Sequence, residues 1–170
     1  METTIINLAG SPGAGKSTGA AYIFAEMKMR GINCEYVQEF AKQMTWQERY
    51  QVLKNQTYVF GKQLHYLSNV VGKVEYIVTD SPLFLSAMYA HPEYPKSFNT
   101  LVLEIFNGFT NKNFYLRRTK QYNPVGRNQT SDESDKIGVK IYEYMVTHEI
   151  PFISVDGCRE GYNQILRSII

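Results

Sequence analysis

NLAGSPGAGKSTGAAY, residues Asn7–Tyr22, contains the pattern G-x4-G-K-[ST] without a mismatch, at Gly10, Ser11, Pro12, Gly13, Ala14, Gly15, Lys16 and Ser17. An apolar run, Thr4–Ala9, precedes it and a helical pattern follows it, which is the strand–loop–helix setting this motif requires. The glycines let the backbone curl so that successive N–H groups point into one concavity able to hold phosphate oxygens. The helix that follows adds the partial positive charge of its N-terminus. Lys16 is expected to reach the β- and γ-phosphates of ATP, and the Ser17 hydroxyl to ligand Mg²⁺, with Thr18 completing the nucleotide-contacting stretch.

Working outward from the loop, short apolar runs alternate with helix-like segments. This is the pattern of an α/β domain with a mostly parallel sheet. Strands are expected at Thr4–Ala9, Glu35–Val37, Tyr76–Thr79, Asn113–Leu116 and Phe152–Val155; each is nearly all apolar, as strands covered on both faces should be. Helices are expected at Lys16–Arg30, ending near Gly31, and over one long span from Trp46 to Val71 on the spacing of Leu53, Phe60, Leu64, Leu67 and Val71. Two shorter helices, Leu83–Ala90 and Ser97–Phe106, flank the proline-bearing HPEYPK. Another begins near Ser131, where Thr130 and Glu133 form a capping-box pattern and Ile137, Ile141, Tyr144 and Met145 make an inner face. Arg159–Ile169 is the last. With 170 residues, no repeat and no linker, a single domain is expected over residues 1–170.

A phosphate loop needs further acids at strand ends to position a metal or to activate an attacking group. Asp80 directly follows the apolar run YIVT, and Glu39 follows the second strand. In an open parallel sheet both lie at the carboxyl ends of strands, where the loop also opens. One carboxylate is expected on Mg²⁺ and the other to accept a proton from a substrate hydroxyl; Asp80, with Ser17, is the metal candidate, and which acid is the base stays open. Asp80 can also be read as a cap for the helix near Leu83. Arg117, Arg118, Lys120 and Arg127 cluster in RRTKQYNPVGRNQT, residues 117–130, a loop after the fourth strand that reads as a lid. Arginines closing over a transferring phosphoryl group stabilise its charge and exclude water. Arg117, Arg118 and Arg127 are the catalytic candidates among them, without a choice between them.

Other signals narrow the class. NKNF, Asn111–Phe114, begins like a guanine-recognition N-K-x-D motif, but Phe114 stands at the acidic position, which argues against a regulatory GTPase. His65, His91 and His148 are dispersed, and Cys34 and Cys158 lack metal-ligand spacing. Phe40, Trp46, Phe84, Tyr89 and Tyr122 fall near strand ends and could stack on a planar substrate, though core packing is the simpler reading of each. A net charge of +2 neither requires nor excludes a nucleic-acid partner. No signal-peptide pattern and no apolar run of membrane-spanning length is visible, so a cytoplasmic address without a membrane partner is expected, and the sequon at Asn128 carries no glycan meaning.

Together these residues resemble the small P-loop kinases of the nucleoside and nucleotide kinase group, which includes thymidylate kinase. The resemblance spans nearly the whole chain: the phosphate loop, the acid after strand two, Asp80-Ser81-Pro82 after strand three, and the arginine-bearing lid after strand four. It implies a three-layer P-loop NTPase fold with a five-stranded parallel sheet of order 2-3-1-4-5, a lid closing over ATP, and an acceptor site near the acids. More narrowly, YVQEFAK, TDSPLF and YNPVGRNQTSDESDKIG are similar to compact bacteriophage kinases, some of which phosphorylate 5-hydroxymethyluracil in DNA on the way to hypermodified thymidine. Modified duplex DNA is then the implied acceptor. A free nucleoside or nucleotide is the alternative, and a P-loop ATPase driving a protein partner is a third reading that the small size disfavours. Thymidylate kinases carry Asp-Arg where this chain has Asp80-Ser81, and Arg-Glu-Pro where it has Gln38-Glu39-Phe40. The arginine expected to hold an acceptor phosphate is therefore missing from both places.

Overall fold

The computed structural model describes residues 2–125, 127 and 129–170. Its first half runs β1 (Thr4–Ala9), α1 (Lys16–Met29), β2 (Cys34–Val37), α2 (Phe40–Trp46), α3 (Tyr50–Lys54), α4 (Gln56–Ser68) and β3 (Tyr76–Thr79). The second half adds α5 (Leu85–Tyr89), α6 (Lys96–Asn107), β4 (Thr110–Arg117), α7 (Ser131–Thr147), β5 (Ile153–Asp156) and α8 (Arg159–Ile169). All strands are parallel, in the order β2-β3-β1-β4-β5, as the resemblance implied.

The alternation of side chains along β1 divides the core in two. Ile5, with Ile77 of β3, faces Phe60, Leu67, Phe98, Val102, Phe106, Ile141 and Met145 of helices α4, α6 and α7, and Phe84 just before α5. Ile6 and Leu8, with Val78, Phe114 and Leu116, face α1 and α8 through Ala20, Ile23, Met27, Ile165 and Leu166. Period-two strands sandwiched by helices on both faces give three layers. Phe114 is thus a core residue. The NKNF segment pairs with Ile5–Leu8 of β1, so it is built into the interior of the sheet and not into a loop at its carboxyl edge. Its asparagines are structural, since Asn7 of β1 donates through Nδ2 to Oδ1 of Asn111 (2.8 Å) and of Asn113 (3.0 Å). Among the described residues no helix is long and apolar enough to cross a membrane.

The expected long helix from Trp46 to Val71 is not one helix. Helix α2 starts earlier, at Phe40, and closes with the Arg49 N–H on the Met44 carbonyl (2.9 Å), while Glu48 takes a left-handed φ of 55°. That six-to-one bond with a left-handed residue is a helix-terminating turn, made here without glycine. Asn55 then leaves helical geometry and its side chain accepts the Tyr58 N–H (3.1 Å), starting α4 afresh. Asn competes with the backbone for such bonds and so marks a helix start. The apolar spacing holds after Gln56 but does not carry the helix backward through Asn55. Strand β4 also begins earlier than expected, at Thr110, because its first residues pair with β1 although they are polar. The capping box at α7 is present, with Thr130 N–H on Glu133 Oε2 (2.7 Å) and Glu133 N–H on Thr130 Oγ1 (3.3 Å).

Candidate active site

Strand β1 delivers the phosphate loop at the carboxyl edge of the sheet. Gly10 and Gly15 have φ of 147° and 93°, conformations that L side chains rarely adopt. A β-carbon on Gly10 would also come within 2.6 Å of the Leu116 carbonyl oxygen. The loop is clamped from several sides. Ser134 Oγ of α7 donates to the Pro12 carbonyl (2.7 Å), and the Tyr162 hydroxyl of α8 donates to the Gly15 carbonyl (2.9 Å). Lys16 folds back over the loop, its Nζ donating to the carbonyls of Gly10 (2.9 Å) and Ser11 (3.1 Å). Burial lowers its pKa, against the opposing pull of Glu39 and Asp80 and with the help of the nearby cations Arg127 and Lys42.

The acids come from the ends of β2 and β3. Asp80 is 3% exposed, and its Oδ1 accepts the backbone N–H of Glu39 (3.1 Å). Burial raises its pKa, while a hydrogen bond from Tyr36 and the charge of Lys16 work the other way. It does not cap a helix: α5 begins at Leu85 with no side-chain cap. Glu39 is half-buried; burial raises its pKa, Lys16 lowers it, and Asp80 raises it further. Two carboxylates beside one ammonium, all partly withdrawn from water, is an arrangement for moving protons and placing a divalent cation.

Glu39 owes its position to a residue outside any motif. Gln63 of α4, 2% exposed, accepts the Phe40 N–H through Oε1 (3.0 Å) and donates through Nε2 to the Gln38 carbonyl (3.2 Å). One buried amide therefore clips the chain on both sides of Glu39. One turn into α2, the Lys42 ammonium approaches the Ser17 hydroxyl (3.4 Å), bridging the acid-bearing side of the cleft to the phosphate loop. Tyr89 of α5 also borders this side: although 43% of the residue is exposed, its phenol is withdrawn among its neighbours near Glu39, and that burial, with the Glu39 charge, pushes it up.

The arginines diverge. Arg117, at the end of β4, pairs its Nε with Asp156 of β5 (2.8 Å) and is largely exposed. Arg118 is only 16% exposed, pairs with Asp135 of α7 (2.5 Å) and lies 5.4 Å from the Tyr122 ring centre. Arg127 lies 5.7 Å from the same ring and donates to the Asn123 carbonyl. Tyr122 sits against the phosphate loop, since a β-carbon on Gly13 would fall 3.2 Å from its Cδ2. Of the three, Arg127 is the one whose charge acts on Lys16. Of the expected lid, Gly126 and Asn128 lie outside the described residues, and with Asn128 the sequon.

A family model described as an AAA domain matches residues 5–161. The chain belongs to that family. Among solved structures, this AAA domain is similar to shikimate kinase from Bacteroides thetaiotaomicron, with 13% identity over 98% of this chain and 96% of that one and a TM-score of 0.54. It is also similar to the NadR protein in complex with NAD and AMP-PNP, at 10% identity and a TM-score of 0.62. A second NadR structure, in complex with NR, gives 12% and 0.63. The AAA domain is covered to 98% in both, but it spans only 48% and 50% of the NadR chains. At these identities the likeness is one of fold: a small P-loop NTPase of the kinase-like architecture. None of the curated proteins compared with the sequence matches it.

In this AAA domain the sequence-derived residues Lys16, Ser17, Glu39 and Asp80 converge, and Arg127 acts on them electrostatically. Arg117 instead binds Asp156 at the rim, whereas Arg118, paired with Asp135, lies beside the phosphate loop, its Cδ 3.9 Å from where a β-carbon on Gly13 would stand. Of the aromatic residues near strand ends, Phe40 and Phe84 are core, while Trp46 and Tyr89 are exposed and Tyr122 covers the loop. The sequence motifs do not reach Tyr36, Lys42, Gln63, Ser134 and Asp135, which the fold brings to the site. For Gln63 a signal exists: it is a polar residue between Phe60 and Leu67 on the apolar stripe of α4. The hard oxygen donors of Ser17 and Asp80 suit Mg²⁺, which takes one or two carboxylates and completes its shell with water and phosphate. Among the described residues no cluster of three His, Cys, Asp or Glu side chains could hold a metal without such help.

Proposed function

We propose that this protein is an ATP-dependent kinase that moves the γ-phosphoryl group to a hydroxyl of a nucleobase or nucleotide. The observation that carries this reading is the pair Glu39 and Asp80 beside Lys16, one carboxylate half-open to an entering substrate and the other buried and tied down. Glu39 is the general base and Asp80, with Ser17, the acid that would hold Mg²⁺. The cation, when bound, neutralises phosphate charge and orients the β- and γ-phosphates. Lys16 exchanges the carbonyls of Gly10 and Ser11 for phosphate oxygens, keeping the same donor and the same place. As the acceptor oxygen bonds to the γ-phosphorus, the bond to the β,γ-bridging oxygen breaks and ADP leaves with its electron pair. The acceptor proton passes to Glu39, whose raised pKa brings it closer to the neutral range where a general base is most effective. Arg127, above the loop, answers charge spreading over the equatorial oxygens.

The acceptor in this reading is most specifically 5-hydroxymethyluracil in phage DNA, phosphorylated in the host cytoplasm. Its support is the likeness of YVQEFAK, TDSPLF and YNPVGRNQTSDESDKIG to phage kinases, together with the missing acceptor-phosphate arginines at Gln38 and Ser81. The alternative, a free nucleoside or nucleotide acceptor, draws on the NadR structures, whose complexes contain NAD, NR and AMP-PNP.

γ-Labelled ATP offered with hydroxymethyluracil-containing duplex, and separately with the free deoxynucleoside and its monophosphate, tests both. The expected result is label in the polymer. Label confined to the free species removes DNA as acceptor. ATP hydrolysis stimulated by a protein, with no phosphorylated small or polymeric product, removes the kinase reading altogether.

A further inference from the structure

The helices between Glu39 and β3 have an inner and an outer side of opposite character. Inward, Phe40, Met44 and Val59 form a small core of their own. Outward stand rings and cations. Lys42 and Trp46 share one face of α2 at i,i+4 spacing, so that face begins at the Ser17 hydroxyl and ends at an indole that is 62% exposed. Arg49 and Tyr50 follow directly across the turn at Glu48, both exposed. On α4, Tyr58 packs edge-on against Phe40 and Lys62 lies 6.0 Å over the same ring, so both outer groups border the residue next to Glu39.

Charge is distributed to match. Residues 40–68 hold Lys42, Arg49, Lys54 and Lys62 against the single acid Glu48, a net of +3. The whole chain carries +2, so the rest of the molecule is slightly negative. Exposed aromatic rings alternating with cations offer a stacking face for bases and counter-charges for a phosphodiester backbone. A protein-binding patch of this size would instead concentrate apolar area and shed lysine at its centre.

We infer that the outer face of α2 and α3, continued by Tyr58 and Lys62, is a docking track for a single nucleic-acid strand that leads an unstacked base to Glu39. The inference rests on the kinase reading for its purpose, but not for its observation. The depth of the site makes the strand single: the base Glu39 is half-buried beside Lys16 and the sealed Asp80, and a base paired and stacked in a duplex cannot bring a hydroxyl there without leaving the stack. Lys42 is the inner end of the track and Trp46 its first stacking platform.

Trp46 is the only tryptophan in the chain, so its emission reports the track directly. Titration of the whole protein with an oligothymidylate of about 12 nucleotides should quench it, and a pre-formed duplex of the same length should quench it more weakly. With three cations each neutralising one phosphate, log affinity should fall against log salt with a slope of about −2. Trp46→Ala, followed with a dye-labelled strand, and Arg49→Glu should each weaken binding about tenfold, with an unchanged melting temperature showing that the fold is intact. Unchanged emission and no strand binding, or binding indifferent to both substitutions, overturns the track. So does quenching by thymidine monophosphate equal to that by the oligomer. Phosphotransfer separates the two ideas: strand binding with no transfer from ATP to a hydroxymethyluracil-bearing strand or duplex, or to the free nucleoside or its monophosphate, sinks the kinase reading and leaves the track. Transfer to a free nucleoside without strand binding does the reverse.

Discussion

The phosphate loop and the Gln38–Phe40 turn stand on either side of one cleft, and they are held in different ways. The loop is gripped from α7 by Ser134, from α8 by Tyr162 and from within by Lys16, with glycines where neighbouring backbone comes too close for a β-carbon. The turn depends on two side chains, Gln63 and Asp80, each reaching it from another element. A site held by many anchors tolerates the loss of one. A site held by two should lose its aim while the fold survives. The donor side is therefore robust and local, and the acid side is fragile and non-local.

The largest effect should come from Lys16→Ala, which removes the only loop side chain able to follow charge to the γ-phosphate. Turnover should fall by about 10³-fold or more with the far-ultraviolet circular dichroism unchanged, measured as initial rates of labelled phosphate transfer. An active variant would break the assignment of the donor side. Next is Glu39→Gln, expected to cost about 10²- to 10⁴-fold. In the parent protein kcat/KM should fall as pH drops through a value above the ordinary glutamate 4.5, because the base must be ionised and burial raises its pKa. That acid limb should vanish from the residual activity of Glu39→Gln; if it persists and Asp80→Asn abolishes it, the two acids exchange roles.

Gln63→Met sharpens the comparison most directly. It keeps the side chain's volume and deletes both bonds flanking Glu39, so kcat should fall about tenfold while KM for ATP stays put. A rise in KM for ATP instead would mean that the turn supports the donor side as well. The smallest effect is on stability. Folding raises the Asp80 pKa above its ordinary 3.8, so ionisation costs stability that is lost progressively as pH rises from that value through the raised one. Asp80→Asn should accordingly melt about 2–4 °C higher than the parent at pH 7, and the gap should close near pH 3, read by thermal scans at both pH values. A lower melting point at pH 7 would show that the bonds from Tyr36 and the Glu39 N–H outweigh the cost of burying the charge.

The same contrast explains how far the sequence can be read. The loop is written in consecutive residues because its function is backbone geometry, and glycine spacing encodes that directly. Strand ends locate Glu39 and Asp80 because a short apolar run followed by an acid has few other meanings. The polar break that Gln63 makes in the apolar stripe of α4 marks it, but sequence order does not say where it acts: it lies 24 residues beyond Glu39 and works through main-chain atoms of residues it does not resemble. The interruption at Asn55 is hidden for a related reason: a hydrogen bond to Tyr58 N–H outweighs an apolar periodicity that extends past it. The arginine cluster is visible as a cluster, but the sorting of Arg117 to Asp156 and Arg118 to Asp135 depends on strand pairing and on the approach of α7.

The amide pair between β1 and β4 bears on the cleft in a further way. Asn7 stands opposite Asn113 in the parallel register, and both are nearly sealed from water. Sliding β4 by one residue would bring Phe114 opposite Asn7 and strand at least two amides, at about 1–3 kcal/mol each. Because β1 runs into the phosphate loop and β4 into Arg117 and Arg118, such a slip would carry the arginine-bearing segment about 3.3 Å along the sheet. The buried asparagines act as the detent of a caliper: Asn7 and Asn113, midway along β1 and β4, with Asn111 one pleat below, fix the gap between the jaws at the top of the sheet.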